Sequence, residues 1–328
     1  MSLNNLLEVK NLSVAFESER GLSTAVDDIS FTIPRGSCVG IVGESGCGKS
    51  VTAMSLVRLL PQPTGRITGG QILFDGDDVV TMSLSRLREL RGGRVGMIFQ
   101  EPMSALNPVH TIGDQIAETL MLHRDMTAEA AWVEAINLLN RVRIPSAAVC
   151  AHQYPGSLSG GMRQRVVIAM ALACRPELII ADEPTTALDV TVQQQILALL
   201  RELREDLGAS SLLITHDMGV IAQNCDRVLV MYAGRIVESA TVEELFANPC
   251  HAYTKALLDS IPRREYTRKT YLPSIPGHVA AIRHQVKGCR FCQRMGVPTE
   301  ELKERPRMIE IAPGHRIEAC PRCTGVLC

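Results

Sequence analysis

The chain has 328 residues, 46% of them hydrophobic and 21% charged, with a formal net charge of −1. That is enough apolar material for one large domain and an appendix, or for two domains. It excludes a disordered chain and a protein that coats nucleic acid by bulk positive charge. The longest strongly apolar run, Val166 to Cys174, is too short to cross a bilayer. Met1 to Asn5 lack the basic-then-apolar pattern of a signal peptide. The expected location is therefore cytoplasmic, with any work at a membrane done by docking to a partner that spans it.

Residues 6–16 alternate apolar and polar, the pattern of a half-buried strand that ends at Phe16. That ring is placed either to stack on a base or to fill the core. Val26 to Ile33 alternates likewise, and Pro34-Arg35-Gly36 turns the chain. The run Cys38-Val39-Gly40-Ile41-Val42 reads as a buried strand, and Val51 to Val57 as a helix. Between them lies Gly43-Glu44-Ser45-Gly46-Cys47-Gly48-Lys49-Ser50. Strand, glycine loop and helix in that order make a phosphate-binding loop. Its backbone N–H groups and the helix start cradle phosphate oxygens. Lys49 is expected to reach the β- and γ-phosphates of a nucleotide, and the Ser50 hydroxyl to hold Mg²⁺.

Further on, Gly69 to Phe74 reads as a strand, Leu84 to Leu90 as a short helix, and Val95 to Gln100 as a strand. Apolar residues then recur at helical spacing from Gly113 to Arg143, marking a helical insertion. Ser159 is an N-cap for an apolar helix running to Cys174. Leu178 to Ala181 is a buried strand ending in Asp182 and Glu183. Thr191 to Leu207 is an amphipathic helix, and Ser211 to Thr215 a strand with His216 at its end. Two strands follow, Asp226 to Tyr232 and Arg235 to Glu238, then short helices at 241–247 and 252–260. Residues 263–269 are basic and polar and read as a linker. The last sixty residues show little periodicity.

Acids at the carboxyl end of a buried parallel strand are the usual place for ligand chemistry in an α/β sheet. Asp182 suits either a carboxylate that holds Mg²⁺ or a helix N-cap. Glu183 is placed to orient or deprotonate an attacking water, and His216 to contact the γ-phosphate. Downstream of a phosphate-binding loop, this group points to hydrolysis of a nucleoside triphosphate.

Leu158-Ser159-Gly160-Gly161-Met162-Arg163-Gln164 resembles the signature motif of ATP-binding cassette (ABC) proteins. Gln100 matches that family's Q-loop, Ala187-Leu188-Asp189 its D-loop, and His216 its switch histidine. Phe16 sits where the family stacks adenine. The resemblance covers residues 5 to about 260. It implies an α/β P-loop NTPase fold: a RecA-like core, an antiparallel β subdomain and a helical ABC insertion spanning about 101–175. It also implies an ATP site of Phe16 with Gly43, Glu44, Ser45, Gly46, Cys47, Gly48, Lys49, Ser50 and Val51. Mg²⁺ would be held through Ser50, Gln100 and Asp182, and catalysis carried by Glu183, His216, Gln100 and Lys49. Two cassettes of the family pair head to tail, so Ser159, Gly160, Gly161 and Gln164 would serve a partner's ATP and Asp189 would lie at the pairing surface. The stretches Glu183 to Thr191, Phe99 to Pro108 and Tyr253 to Leu258 are similar to the cassettes of dipeptide and oligopeptide importers, and Met162 to Arg165 to the first of their two non-identical cassettes. Ala252 departs from the proline usual there. Implied partners are a second, different cassette, two transmembrane permease subunits and, indirectly, a solute-binding protein, with no nucleic acid. The location implied is the cytoplasmic face of the plasma membrane, peripherally. Nickel and other small solutes use similar cassettes. A soluble cassette ATPase outside transport is the alternative; such proteins usually carry two cassettes or a long coiled coil, and neither is present here.

The chain has eleven cysteines. Six, from Cys38 to Cys250, read as small buried hydrophobes. The tail holds two C-x-x-C pairs, Cys289 with Cys292 and Cys320 with Cys323, with 27 residues between the pairs, and a spare Cys328. Four thiolates suit Zn²⁺ or a 4Fe–4S cluster; the other reading is free thiols. The importer family often carries a C-terminal cysteine cluster associated with an iron–sulfur centre. Here Met295 stands where that pattern has its second cysteine, and the third, expected near Glu301 to Lys303, is missing; Cys292 and Cys323 are the candidates to replace them. The expected domains are an ABC ATP-binding domain at 1–262 and a small cysteine-rich extension at 263–328.

Overall fold

The computed structural model describes residues 5–19, 21–186, 188–261, 274–279 and 285–325. The expected boundary at 262, the basic stretch 263–269, Ala187 and Cys328 fall outside these residues. The chain folds into two compact units that interleave in sequence.

The unit built from 7–32, 39–74 and 215–328 contains the phosphate-binding loop and the tail. Its antiparallel layer has the strand order Gly21–Pro34, Asn5–Ser18, Gly65–Phe74. Leu7 stands opposite Phe74, Val9 opposite Ile72 and Phe16 opposite Gly65. The first strand continues past Phe16, the expected end, because the chain keeps an antiparallel partner there. The alternation of Val26, Ile29, Phe31 and Ile33 puts one face of the layer in the core.

In the same unit Cys38–Val42 lies parallel to Arg227–Tyr232, with Val42 opposite Val230. All five residues of Cys38–Val42 are buried, as the unbroken apolar run requires. Arg235–Thr241 pairs antiparallel with Arg227–Tyr232. The tail then supplies two strands that sequence periodicity did not reveal. His315–Glu318 adds to Arg235–Thr241, with Ile317 opposite Glu238, and Met308–Ala312 adds outside it. The tail is thus part of a sheet, and Cys289, Phe291, Cys292, Cys320 and Cys323 lie in one apolar cluster with Val230, Tyr232 and Tyr253.

The unit of 33–38 and 75–214 holds three parallel strands, Val95–Ile98, Leu178–Asp182 and Ser210–Thr215, in register Ile98–Ala181 and Asp182–Ile214. Helix Gly160–Leu172 packs so closely on the first of these that a Cβ at Gly96 would meet the Ala171 carbonyl at 2.2 Å. The helical insertion comprises Ile112–Arg124, Ala128–Arg141 and Ala147–Ala151. Thr111 and Thr127 cap the first two, their side chains accepting from Asp114 and Ala130 N–H. Among the six scattered cysteines, Cys38, Cys47 and Cys150 are buried, whereas Cys174, Cys225 and Cys250 are only half-buried.

Candidate nucleotide site

The phosphate-binding loop joins strand Cys38–Val42 to helix Lys49–Leu56. A Cβ at Gly43 would lie 2.1 Å from the Met231 carbonyl oxygen, so the loop leaves its strand against neighbouring backbone where only glycine fits. Gly48 has φ of 105° and sets the left-handed turn into the helix. The tip, Ser45 and Gly46, is exposed, while Ser50 and Val51 are half-buried. Lys49 is only 4% exposed, and its Nζ donates to the Gly43 and Glu44 carbonyls at 2.9 and 3.1 Å. The loop therefore curls around its own ammonium, concentrating positive charge beside the positive end of helix Lys49–Leu56. Burial pushes the Cys47 thiol up to about 11, which keeps it unreactive. Phe16 is half-buried and packs over Gly65, where a Cβ would meet its ring at 2.9 Å. His216 is exposed just past strand Ser210–Thr215, and Asp217 beside it caps helix Met218–Asn224 by accepting from Gly219 N–H at 2.7 Å.

In the other unit, Asp182 is buried and closes strand Leu178–Asp182; it caps no helix. Glu183 follows with φ of 45°, the left-handed region that an L side chain rarely adopts. Its N–H donates to the Ile214 carbonyl at 2.9 Å. The Gln100 amide donates to the Glu183 carboxylate at 3.2 Å, and the Thr186 hydroxyl donates to the same oxygen at 3.0 Å. The structure thus brings Gln100 and Glu183 together. It adds Thr186, which sequence reading passed over although it lies three residues after Glu183.

Ser159 and Gly160 are exposed, and Gly161 is half-buried. The Ser159 hydroxyl accepts from Met162 N–H at 3.4 Å, as an N-cap does. Gln164 is 1% exposed and faces the interior one turn below them. Asp189 caps helix Val190–Leu207, accepting from Val192 N–H at 3.0 Å.

The tail reaches the phosphate-binding loop directly. The Tyr253 hydroxyl accepts the Glu44 N–H at 3.0 Å, and Arg294 grips the Glu44 carboxylate with two bonds, at 2.5 and 3.2 Å. Phe291 meets Tyr232 edge-on at 5.5 Å and Tyr253 at 5.6 Å. Arg235, Arg290 and Arg305 converge on Asp27. Burial works to raise the Asp27 carboxyl, but the three guanidinium groups hold it below the usual carboxylate range. Burial, with Arg235 close by, pushes Arg290 down to about 10. No sequence pattern announces these contacts, and those to Glu44 and Asp27 join residues more than two hundred positions apart.

The four tail cysteines converge. Cys289 Sγ lies 3.6 Å from Cys323, and Cys292 Sγ lies 3.5 Å from Cys320 and 3.4 Å from Cys323. All four sulfurs fall within 4.8 Å of one another.

A glycine loop curled around a buried lysine at a helix start is the geometry of a P-loop nucleotide site. The ABC transporter family pattern matches residues 26–186, and that of the oligopeptide/dipeptide transporter C-terminal region matches residues 237–300. The probable peptide ABC transporter ATP-binding protein y4tR of Sinorhizobium fredii is 48% identical over 326 residues, 98% of this chain and 96% of that protein. The oligopeptide transport ATP-binding protein OppD of Haemophilus influenzae is 47% identical over 306 residues, 93% and 94% of the two chains. Among solved structures, a dimeric post-hydrolysis state of the ATP-binding cassette MJ0796, bound to ADP and Pi, aligns with TM-score 0.65 at 28% identity, over 72% of this chain and 98% of that one. The chain belongs to the ABC transporter family, as an ATPase that carries the oligopeptide/dipeptide transporter C-terminal region.

Proposed function

We propose that this ATPase powers uptake of di- or oligopeptides, or of a related small solute, through partner membrane subunits. The observation that carries the catalytic half is the Glu183 carboxylate held by Gln100 and Thr186. A carboxylate so oriented takes the proton of an attacking water. Lys49 and the loop N–H groups bind the phosphates, while Ser50, Asp182 and Gln100 hold Mg²⁺ and His216 contacts the γ-phosphate. Phe16 stacks on the adenine, with Gly43, Glu44, Ser45, Gly46, Cys47, Gly48 and Val51 completing the ATP site. ATP and Mg²⁺ are the cofactors of hydrolysis.

Ser159 and Gly160 stand exposed at a capped helix start with spare N–H donors. They suit the γ-phosphate on a second cassette, with Asp189 at the pairing surface. The working unit is a dimer of two non-identical cassettes. The chain is the first of the two, its ABC domain at 1–262 and its tail at 263–328.

The membrane connection is supported by the helical insertion. A groove there is lined by His110, Gln115, Met121, Leu122 and Trp132. Leu122 and the nearby Val109 expose 70% and 73% of their surface. Apolar side chains so exposed suit a helix from a permease subunit. No described helix is long and apolar enough to cross a membrane. In this reading the chain works peripherally on the cytoplasmic face of the plasma membrane, with the solute-binding protein acting on it only through the permeases. The relatives' names, peptide ABC transporter and oligopeptide transport ATP-binding proteins, support the peptide class. The four tail cysteines hold a metal, as zinc or as an iron–sulfur cluster.

Co-expression with the neighbouring permease and solute-binding subunits, reconstitution in vesicles and measurement of ATP hydrolysis test this reading. Hydrolysis stimulated by the binding protein loaded with peptide is expected. Hydrolysis indifferent to the permeases overturns the transport role and leaves a soluble ATPase.

A further inference from the structure

The tail meets the phosphate-binding loop through one short helix, Arg290–Arg294. Five residues do not sustain a helix alone, so its ends must be fixed by something else. At its start the Cys289 sulfur accepts from Cys292 N–H at 3.4 Å. Along its length Arg290 binds the Ala233 carbonyl and Asp27, Phe291 packs on Tyr253, and Arg294 holds Glu44. Whatever pins Cys289 and Cys292 therefore pins the contacts to the loop.

The sulfur positions discriminate between metals. A tetrahedral ion with Zn–S bonds of about 2.3 Å spaces its four sulfurs about 3.8 Å apart. A 4Fe–4S cluster carries one thiolate outside each iron corner, which spaces them about 6 Å apart. The observed separations are 3.4, 3.5 and 3.6 Å, and no pair exceeds 4.8 Å. The iron–sulfur cluster does not fit this arrangement, and a single ion does.

An independent observation lies in His251. It is fully buried, its Nδ1 accepts from Tyr253 N–H at 3.1 Å, and its Nε2 has no hydrogen-bond partner. With Nδ1 accepting, the neutral ring carries its proton on Nε2, a buried donor in search of an acceptor. A ring nitrogen of His251 lies within 4.8 Å of both the Cys289 sulfur and a carboxylate oxygen of the buried Glu318. A neutral thiol is a weak acceptor, whereas a metal-bound thiolate carries the charge that such a donor serves.

We infer that Cys289, Cys292, Cys320 and Cys323 bind one tetrahedral zinc ion instead of an iron–sulfur cluster, and that the helix bearing Arg294 is thereby held on Glu44 of the phosphate-binding loop. The inference rests on the reading that the tail cysteines hold a metal. Binding releases the thiol protons to solvent and changes no oxidation state. The site is structural, and it braces the loop that receives ATP.

The full-length protein, purified anaerobically from medium containing both iron and zinc, is assayed for metals and acid-labile sulfide. About one zinc per chain and no sulfide is expected. Exchange with Co²⁺ should then give the visible bands of a tetrahedral four-thiolate site. Iron with matching sulfide overturns the inference and leaves the metal-bearing tail intact; a single iron without sulfide overturns the choice of zinc. Protein free of both metals overturns the metal reading as well. Since cysteine variants can fail to fold, the brace is tested by Arg294→Gln. Zinc content should stay at wild-type level while affinity for a fluorescent ATP analogue falls roughly five- to tenfold. Unchanged affinity overturns the brace. Failure of the wild-type protein to hydrolyse ATP is read separately and bears on the catalytic proposal alone.

Discussion

Gln100 holds Glu183: its amide donates to one carboxylate oxygen at 3.2 Å, and Thr186 donates to that same oxygen. The residue so held sits at φ of 45°, a conformation that costs on the order of 1 kcal/mol and persists only when its surroundings enforce it. Two side chains from separate loops fix its orientation before any substrate arrives.

Glu183→Gln should keep ATP binding while lowering turnover by roughly 10²- to 10⁴-fold, the usual range for loss of a general base. The variant is expected to accumulate as an ATP-bound dimer on size exclusion. Phosphate release near the wild-type rate would remove Glu183 from the role of base.

Thr186→Val keeps the shape and loses the donor. A fall of about tenfold in kcat with KM unchanged is expected, because only the orientation of Glu183 is disturbed. Combined with Glu183→Gln it should add almost nothing, since both changes act through one group. Full additivity in a steady-state double-mutant cycle would show that Thr186 acts elsewhere.

Lys49→Ala removes the ammonium held by the Gly43 and Glu44 carbonyls. ATP affinity and hydrolysis should both fall, hydrolysis by about 10²-fold or more, as loss of a phosphate-directed charge does. Equilibrium binding of a fluorescent ATP analogue, alongside phosphate release, checks this. Retained affinity would place the phosphates elsewhere.

Gly43→Ala drives a Cβ to within 2.1 Å of the Met231 carbonyl oxygen, a backbone atom that has no rotamer to yield. A loss of about 3 kcal/mol of stability is expected, together with loss of nucleotide binding. Chemical denaturation gives the first and analogue binding the second. By contrast a Cβ at Gly46 meets nothing within 4 Å, so Gly46→Ala should cost only the strain of its φ of 77°.

Asp27 supplies a pH dependence. Its folded carboxyl titrates below the unfolded value because Arg235, Arg290 and Arg305 surround it. A depressed carboxylate contributes stability that is full above about pH 4 and is lost as pH falls through the folded value. Asp27→Asn should therefore cost about 3 kcal/mol at neutral pH, chiefly by taking from the buried Arg290 its ion-pair partner and leaving Arg235 with Glu318 alone, 3.5 Å away. It should also flatten the acid limb of the stability curve. Urea melts at pH 3, 5 and 7 measure both effects, and an unchanged acid limb would show that Asp27 is not the group responsible.

What the sequence by itself determined is what depends on local order. Gly43 to Ser50 between an apolar strand and a helix needs only consecutive residues to be read. Ser159 announces the helix it caps for the same reason, and Asp182 and Glu183 are marked by the apolar run that ends in them. The tertiary structure decided what depends on residues distant in the chain. Arg294 reaches Glu44 across 250 positions, and Arg290 reaches Asp27 across 263. Strands Met308–Ala312 and His315–Glu318 form because Arg235–Thr241 offers them an open edge, not because four or five residues declare a period. Likewise two C-x-x-C pairs, as text, leave an iron–sulfur cluster, a zinc ion and free thiols all open. Only the distances between their sulfurs, set by the packing of the tail on that sheet, choose between them.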